Sequence, residues 1–403
     1  MAAAALFSGV NTRRRLAFPL LAFAFAAVML GTTLPTPMYA LYAAQMHFAV
    51  LTTTIVFAAY AIGVLGALLV VGGWSDAIGR RPVLLGGLVF ALASAVVFLF
   101  ADSVAVLLVG RLLSGLSAGI FTGTATAAVV EALPAAQRER GAVVATVANI
   151  GGLGTGPILA GLLVQYEPHA LTLPFVVHIV LVVLAIAAVL IAPETSDRTG
   201  RIGMQRLSVP VEARAVFITA ATAAFAGFAV MGLFTSVAPA FVANVVGNDN
   251  HAVGGAVASS IFLASAVAQL AGRRIAPARA VAAGSAVLVI GMVILAAALH
   301  FSSLTGILVA ALVAGTGQGI SFSRGLAAVV EQVPTERRAE VSSTYFVVAY
   351  VAISLPVVGA GLAAHAWGLR TAGEVFAVVV AALAMVCLAA ILVQERRGTP
   401  ASA

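Results

Sequence analysis

The sequence contains no lysine. All 21 basic side chains are arginines, set against 14 acids, and charged residues make up 9% of 403 positions. A soluble domain carries roughly a quarter charged residues, so this chain lacks the polar surface that water requires. Cysteine is also scarce. Cys387 is the only one and lies in an apolar run, which excludes an intramolecular disulfide framework. The glycine-rich run Gly151 to Gly156 has no strand pattern before it and no Gly-Lys-Ser/Thr after it. A phosphate-cradling loop, and with it ATP-driven work, is therefore not expected. Gly115-Leu116-Ser117-Ala118-Gly119 carries the letters of a nucleophile elbow, but it sits mid-helix, without the strand–turn–helix setting that chemistry needs. No enzyme activity, cofactor or metal site is expected. The net charge of +7 does not indicate nucleic acid either, because the arginines recur in short breaks between apolar runs.

What the chain has is hydrophobic length, with 62% of its residues hydrophobic. A helix needs about 20 apolar residues to cross a bilayer. Such runs fall at ~16–43, ~50–72, ~82–101, ~104–130, ~141–166 and ~170–192, and again at ~215–246, ~252–272, ~278–300, ~303–330, ~341–366 and ~371–394. The first run is too long for a cleavable signal and reads as a retained helix. The fold class expected is an all-α integral membrane protein of about twelve transmembrane helices in two six-helix bundles. Residues 1–192 form the first bundle, 193–214 a linker and 215–403 the second bundle. Placing the N-terminus inside puts every arginine except Arg111, Arg324 and Arg370 in an inner segment, and the first two of these fall within spans. The outer loops hold Asp102, Glu167, Asp249 and Glu374. The positive-inside rule then predicts a multi-pass plasma-membrane (inner-membrane) protein with both termini and the linker cytoplasmic.

The two halves also repeat. Ala127-Ala128-Val129-Val130-Glu131 recurs as Ala327-Ala328-Val329-Val330-Glu331, and the same offset of 200 pairs Gly115 with Gly315, Pro134 with Pro334 and Arg138 with Arg338. Parallel repeats with a substrate site between them are a transporter architecture. Between the second and third runs lies Gly72-Gly-Trp-Ser-Asp76-Ala-Ile-Gly79-Arg80-Arg81. With Arg111 ahead of Gly115 and Gly119, the Glu131…Arg138 and Glu331…Arg338 pairs, Pro193-Glu194-Thr195, and Gly152…Gly156-Pro157…Gly161, these motifs occur in order along nearly the whole chain. In this it resembles the major facilitator superfamily, and the fifth-helix pattern resembles that of the twelve-helix drug–proton antiporters. It departs from the family pattern at Ala77, Val143 and Ala160, and at Ala276, where the copy near Gly272 has lost the acid.

The resemblance implies a secondary transporter that alternates between two states, with small molecules, protons and membrane lipids as partners, no nucleic acid or ATP, and a monomer as the working form. Gating and coupling are expected of Gly72, Asp76, Gly79, Arg80, Arg81, Arg111, Glu131, Arg138, Gly156, Pro157, Glu331 and Arg338. Asp76 can pair with the arginines beside it or sit against a helix N-terminus. Pro157 breaks the fifth helix's ladder and should bend it. Arg111, ~30 Å along its helix from Glu131, is a coupling candidate or a snorkelling interface arginine. Arg324, ~10 Å from Glu331, would cost about 2.5–3.5 kcal/mol at a helix centre and so should face a wet cavity. Candidate substrate contacts are Thr32, Thr36 and Tyr39 on the broken first helix, Met231 and Phe234 on the seventh, Gln318 and Arg324 on the tenth, and Tyr345 on the eleventh. No acid lies mid-span, so a neutral or anionic substrate is favoured, and proton coupling would fall to Asp76, Glu131 or His178. Export of small hydrophobic drugs or metabolites in exchange for protons is the leading expectation. A sugar or small-metabolite permease is the alternative, and a non-transporting membrane sensor represents a different class.

Overall fold

The chain is long in small and apolar residues and short in charge, so its backbone polar groups have to be satisfied within each segment, which only helices achieve in hydrocarbon. The computed structural model describes the backbone of residues 2–200 and 202–398 and the side chains of residues 16–200 and 202–393. The arginines at 13–15, 201, 396 and 397, which contribute to the expected orientation, lie outside the described side chains.

Twelve helical spans long and apolar enough to cross a membrane occur among the described residues. In chain order they are α1 Leu16–Met46, α2 Val50–Val71, α3 Arg80–Leu99, α4 Val104–Glu131, α5 Ala135–Tyr166, α6 Leu173–Ile191, α7 Val211–Ser236, α8 His251–Arg274, α9 Pro277–His300, α10 Leu304–Glu331, α11 Thr335–Trp367 and α12 Leu369–Val393. Most begin and end within a few residues of the apolar runs. The exception is α7, expected to reach residue ~246. Its regular helix stops at Ser236, and a separate short helix, Ala238–Asn244, follows with Pro239 in its first turn. Proline has no N–H to continue the preceding ladder, which accounts for the break.

Chain contacts divide the molecule into two units. One comprises Met1–Met38 with Ala59–Gln205, the other Tyr39–Ala58 with Arg206–Ala403. The boundary between the units along the chain falls at Gln205–Arg206, and residues 39–58 group with the second unit. The linker is bonded at both ends. The Gly200 N–H donates to the Asp76 carbonyl at 3.0 Å and the Gln205 N–H to the Leu69 carbonyl at 2.8 Å, both within the first unit. In the second unit the Ser208 N–H donates to Thr344 Oγ1 at 3.1 Å.

The repeat is visible in the helices themselves. Spans α4 and α10 are each 28 residues long and lie 200 residues apart. Each crosses a neighbour at its glycines. A Cβ on Gly115 would strike the Tyr60 carbonyl of α2, and one on Gly315 the Ile261 carbonyl of α8. Membrane helices gain no hydrophobic drive from one another, so close backbone approach at small residues is what holds them together.

Candidate functional site

The stretch from Gly72 to Arg81 folds into a short helix, Trp74–Ile78, followed at once by α3. The corner between them is Gly79, with φ +109°, a region that side chains with a Cβ rarely enter. A Cβ there would also fall on Glu194 Oε2. Immediately after the corner, Arg80 turns inward. Its Nε donates to Glu131 Oε2 at 3.1 Å and its Nη2 to Glu131 Oε1 at 2.8 Å, a two-point fork across to the end of α4. Nη1 donates to Ser75 Oγ at 2.6 Å, and Nη2 meets Asp76 Oδ1 at 2.6 Å. The Arg80 side chain is 11% exposed and that of Asp76 is 55% exposed. The strong partner is therefore Glu131, since paired donors in a rigid fork give the tightest carboxylate contact.

A second carboxylate completes the cluster. Glu194 lies just beyond α6 and receives the backbone N–H groups of Arg80 at 2.8 Å and Arg81 at 3.1 Å, along with those of Thr195 and Ser196, each at 3.0 Å. Arg80 and Arg81 open α3, where N–H groups have no intrahelical acceptor and the helix dipole favours an anion. Burial works to raise the Glu194 carboxyl, but the donated N–H groups outweigh it and hold the group below the usual glutamate range. Arg81 Nη2 reaches the Leu190 carbonyl at 2.5 Å, and Thr195 Oγ1 donates to Glu131 Oε2 at 3.1 Å. Strands of sequence more than 100 residues apart are thus tied together at one end of the first unit.

The sequence reading gave Asp76 a place against a helix N-terminus or beside the arginines. Asp76 takes the second of these, the pair with Arg80, and Glu194 holds the N-terminus of α3. The structure also leaves Arg138 outside the cluster, where it is exposed and forms no ion pair among the described residues. Glu331 and Arg338 are likewise exposed and unpaired there. Gly72 is exposed at the end of α2.

Arg111 is not an interface arginine. It is 2% exposed, its Nη1 donates to the Thr32 carbonyl at 2.6 Å, and its guanidinium lies 4.6 Å from the centre of the Tyr60 ring. The regular helix of α1 ends at Thr33, because Pro35 and Pro37 follow. Arg111 therefore satisfies a carbonyl in the helix's last turn, the end where a cation is favoured. Thr36 is buried just beyond, in a single 3-10 turn, and Tyr39 opens the next helical piece.

Where α5 crosses α1, a Cβ on Gly156 would overlap Thr33 Oγ1 and the Leu30 carbonyl. Pro157 cannot donate to the carbonyl four residues back, that of Leu153, and Thr33 Oγ1 donates to that carbonyl at 2.7 Å. The irregularity in α5 lies slightly upstream, as a π-helical turn over Val147–Gly151. On α6, His178 is buried against Gly31 of α1, and its Nε2 has no partner among the described residues.

In the second unit the substrate candidates are spread out. Met231 and Phe234 are buried on α7. Gln318 is 1% exposed, packs on Gly227 and accepts from Ser265 Oγ at 2.6 Å, and Gln269 donates to that same hydroxyl at 3.2 Å. Tyr345 is fully enclosed beside Phe322 and Phe217, and its hydroxyl donates to the Ala220 and Phe322 carbonyls at 3.3 and 3.4 Å. Its role in the structure is to join α11 to α7 and α10. Arg324 is half-buried, and its Nε is enclosed with no hydrogen-bond partner among the described residues.

The sequence profile of the Major Facilitator Superfamily matches residues 21–355. The chain belongs to that superfamily. Its members are membrane transporters, and a crystal structure of one, a bacterial homolog of the human lysosomal transporter Spinster, shares the fold. That structure gives a TM-score of 0.72 at 15% identity, over 96% of this chain and 99% of the other. Curated relatives match over shorter lengths. The class D tetracycline resistance protein of Salmonella ordonez is 37% identical over 112 residues, 27% of each chain. The class B protein of Escherichia coli is 30% identical over 149 residues, 37% of this chain and 36% of that one. An uncharacterized transporter of the same superfamily from Mycobacterium tuberculosis is 30% identical over 156 residues, 38% of this chain and 22% of that protein. The matched segments span about a fifth to a third of these relatives' length.

Glu194, Ser75, Tyr60 and Ser265, which the sequence reading gave no site role, make these contacts, and Thr33, expected in the polar segment of the first helix, meets α5 instead. For Thr33 a signal existed. Pro157 announces a free carbonyl at Leu153, although the donor is identified only by folding.

Proposed function

We propose that the protein exports small, fairly hydrophobic compounds in exchange for protons, its two six-helix halves opening alternately to either side of the plasma membrane. The observation that carries this reading is the ionic knot at Arg80. It joins the start of α3, the end of α4 and the segment after α6 through contacts between side chains and backbone that can form and break as units. A latch that is fully paired in one state and opened in another is what a two-state carrier needs. The buried α1–α5 crossing at Gly156-Pro157, with the antiporter-like pattern around it, supports exchange rather than uptake. Two relatives named for tetracycline resistance support drug-sized cargo, since removal from the cell is one way a transporter confers resistance.

Orientation rests on the arginine distribution, which places both termini inside; the protein works as a monomer. Arg324, whose enclosed Nε has no hydrogen-bond partner among the described residues, favours a neutral or anionic cargo. Asp76, Glu131 and His178 are the groups from which the proton carriers are drawn.

The test is made in cells. Expression should raise the tetracycline concentration that a drug-sensitive strain survives by severalfold. Arg324→Ala should abolish that gain and weaken tetracycline binding to purified protein in detergent. Resistance that is unaltered by expression would defeat the reading, and unchanged binding in the variant would remove Arg324 from the cargo site.

A further inference from the structure

The two repeats differ at one place in a way that opens a site. In the first unit, the space between the start of α3, the end of α4 and α6 is occupied by Arg80, and only about 10 Å³ remains beside it, lined in part by Arg81 and Ala128. In the second unit Pro277, Ala278, Val281 and Ala328 line the equivalent space, and there a cavity of about 300 Å³ is open. The cause is visible in the sequence. The buried face of α3 recurs in α9 197 residues later, so Pro277 stands where Arg80 does and Ala278 where Arg81 does; the shorter loop before them, residues 272–276, holds no acid or serine, while Glu331 keeps the place of Glu131. The guanidinium and its minor partners are gone, and the carboxylate that would receive it remains.

The walls are otherwise apolar. Ala220, Val281, Ala328 and Ile391 face the cavity from α7, α9, α10 and α12, with Thr219, Glu331 and Gln332 as polar members. Glu331 forms no ion pair or hydrogen bond among the described residues, and Arg279, close by in sequence on α9, is exposed and equally unpaired. Hydrocarbon walls with one carboxylate at the edge are complementary to a molecule with an apolar body and a single cationic head.

We infer that this cavity binds an amphiphilic cation, an alkylguanidinium or alkylammonium, whose head meets Glu331 and whose chain fills the space between α7, α9, α10 and α12. The ligand does in the second unit what Arg80 does in the first, tying the start of α9 to the end of α10. The inference does not depend on the cargo or on the direction of transport. The ammonium could come from a dissolved amine or from an aminophospholipid head.

The test uses the full-length protein in phosphatidylcholine nanodiscs with octylguanidine as probe and octylurea as its neutral match. Octylguanidine should bind saturably and raise the unfolding temperature, and octylurea should do neither. Glu331→Gln should weaken octylguanidine binding at least tenfold. Ala278→Trp, which fills the cavity mouth from an exposed position on α9, should do the same, and unliganded unfolding temperatures would show that both variants fold. Repeating the titration in nanodiscs containing phosphatidylethanolamine separates the sources. Weaker octylguanidine binding there assigns the site to the lipid ammonium, and unchanged binding assigns it to a dissolved cation. Equal binding of octylurea, no saturable binding in either lipid, or unchanged affinity in both variants would overturn the inference.

Discussion

Arg80 has two acidic partners of unequal weight. The Glu131 fork is mostly shielded, with side chains 11% and 30% exposed, whereas Asp76 is 55% exposed. Hydrogen bonds to charged groups in shielded places are worth about 1.5–3 kcal/mol, and an exposed pair about 0–1 kcal/mol. Glu131→Gln should therefore lower the unfolding temperature in detergent clearly, while Asp76→Asn should leave it nearly unchanged and still reduce transport. Equal destabilisation by the two would contradict this ranking. Glu194 adds a pH dependence. Its carboxyl is held below the usual range, so its contribution is complete above the unfolded-state value and is lost as pH falls through the lower, folded-state value. The stability gap between wild type and Glu194→Gln should shrink on acidification below the ordinary glutamate range; a gap independent of pH would assign its effect to packing alone. The sequence pointed to Asp76, Arg80 and Glu131 because they lie within recognisable motifs. The part played by Glu194 was hidden, because its four N–H partners come from two chain segments that only the tertiary fold brings together.

At the scale of the element, the crossing of α1 and α5 shows how one helix repairs another. Pro157 removes the donor to Leu153, and Thr33 supplies one from across the interface. Thr33→Val should cost about 1 kcal/mol, towards the lower end of the penalty for an unpaired carbonyl because this one is only partly buried. Pro157→Ala restores the helix's own N–H, so the double variant should be less damaged than Thr33→Val alone. A coupling of at least about 0.5 kcal/mol in the four-way comparison of unfolding free energies is expected; strict additivity would mean that the two residues do not share the carbonyl. Gly156-Pro157 led to a bend expected there, and gave no sign of the irregularity found upstream. The π turn falls at Val147–Gly151, where nothing in the local residues marks it. The breaks in α1 and after Ser236 follow from Pro35, Pro37 and Pro239, but the apolar runs continue through them, so hydropathy alone joined what proline divides.

For the whole molecule, span number and the repeat were written in the chain. Apolar runs of bilayer length and an offset of 200 residues are long-range patterns that need no knowledge of packing. The assignment of Tyr39–Ala58 to the second unit had no such signature, because it depends on which surface Thr54 meets. A Cβ on Gly361 of α11 would strike the Thr54 hydroxyl, and neither residue announces the other in sequence. The repeat also shows where the halves have diverged, with an arginine-filled latch in one and an open cavity in the other. The central claim, exchange of a drug-sized molecule for protons, is tested most directly in proteoliposomes containing only this protein, with an acidic interior, a pH-sensitive dye inside and labelled tetracycline outside. The account predicts that tetracycline accumulates inside while the interior becomes less acidic, and that both changes fail together in Asp76→Asn. Tetracycline entry that leaves the proton gradient untouched would contradict it.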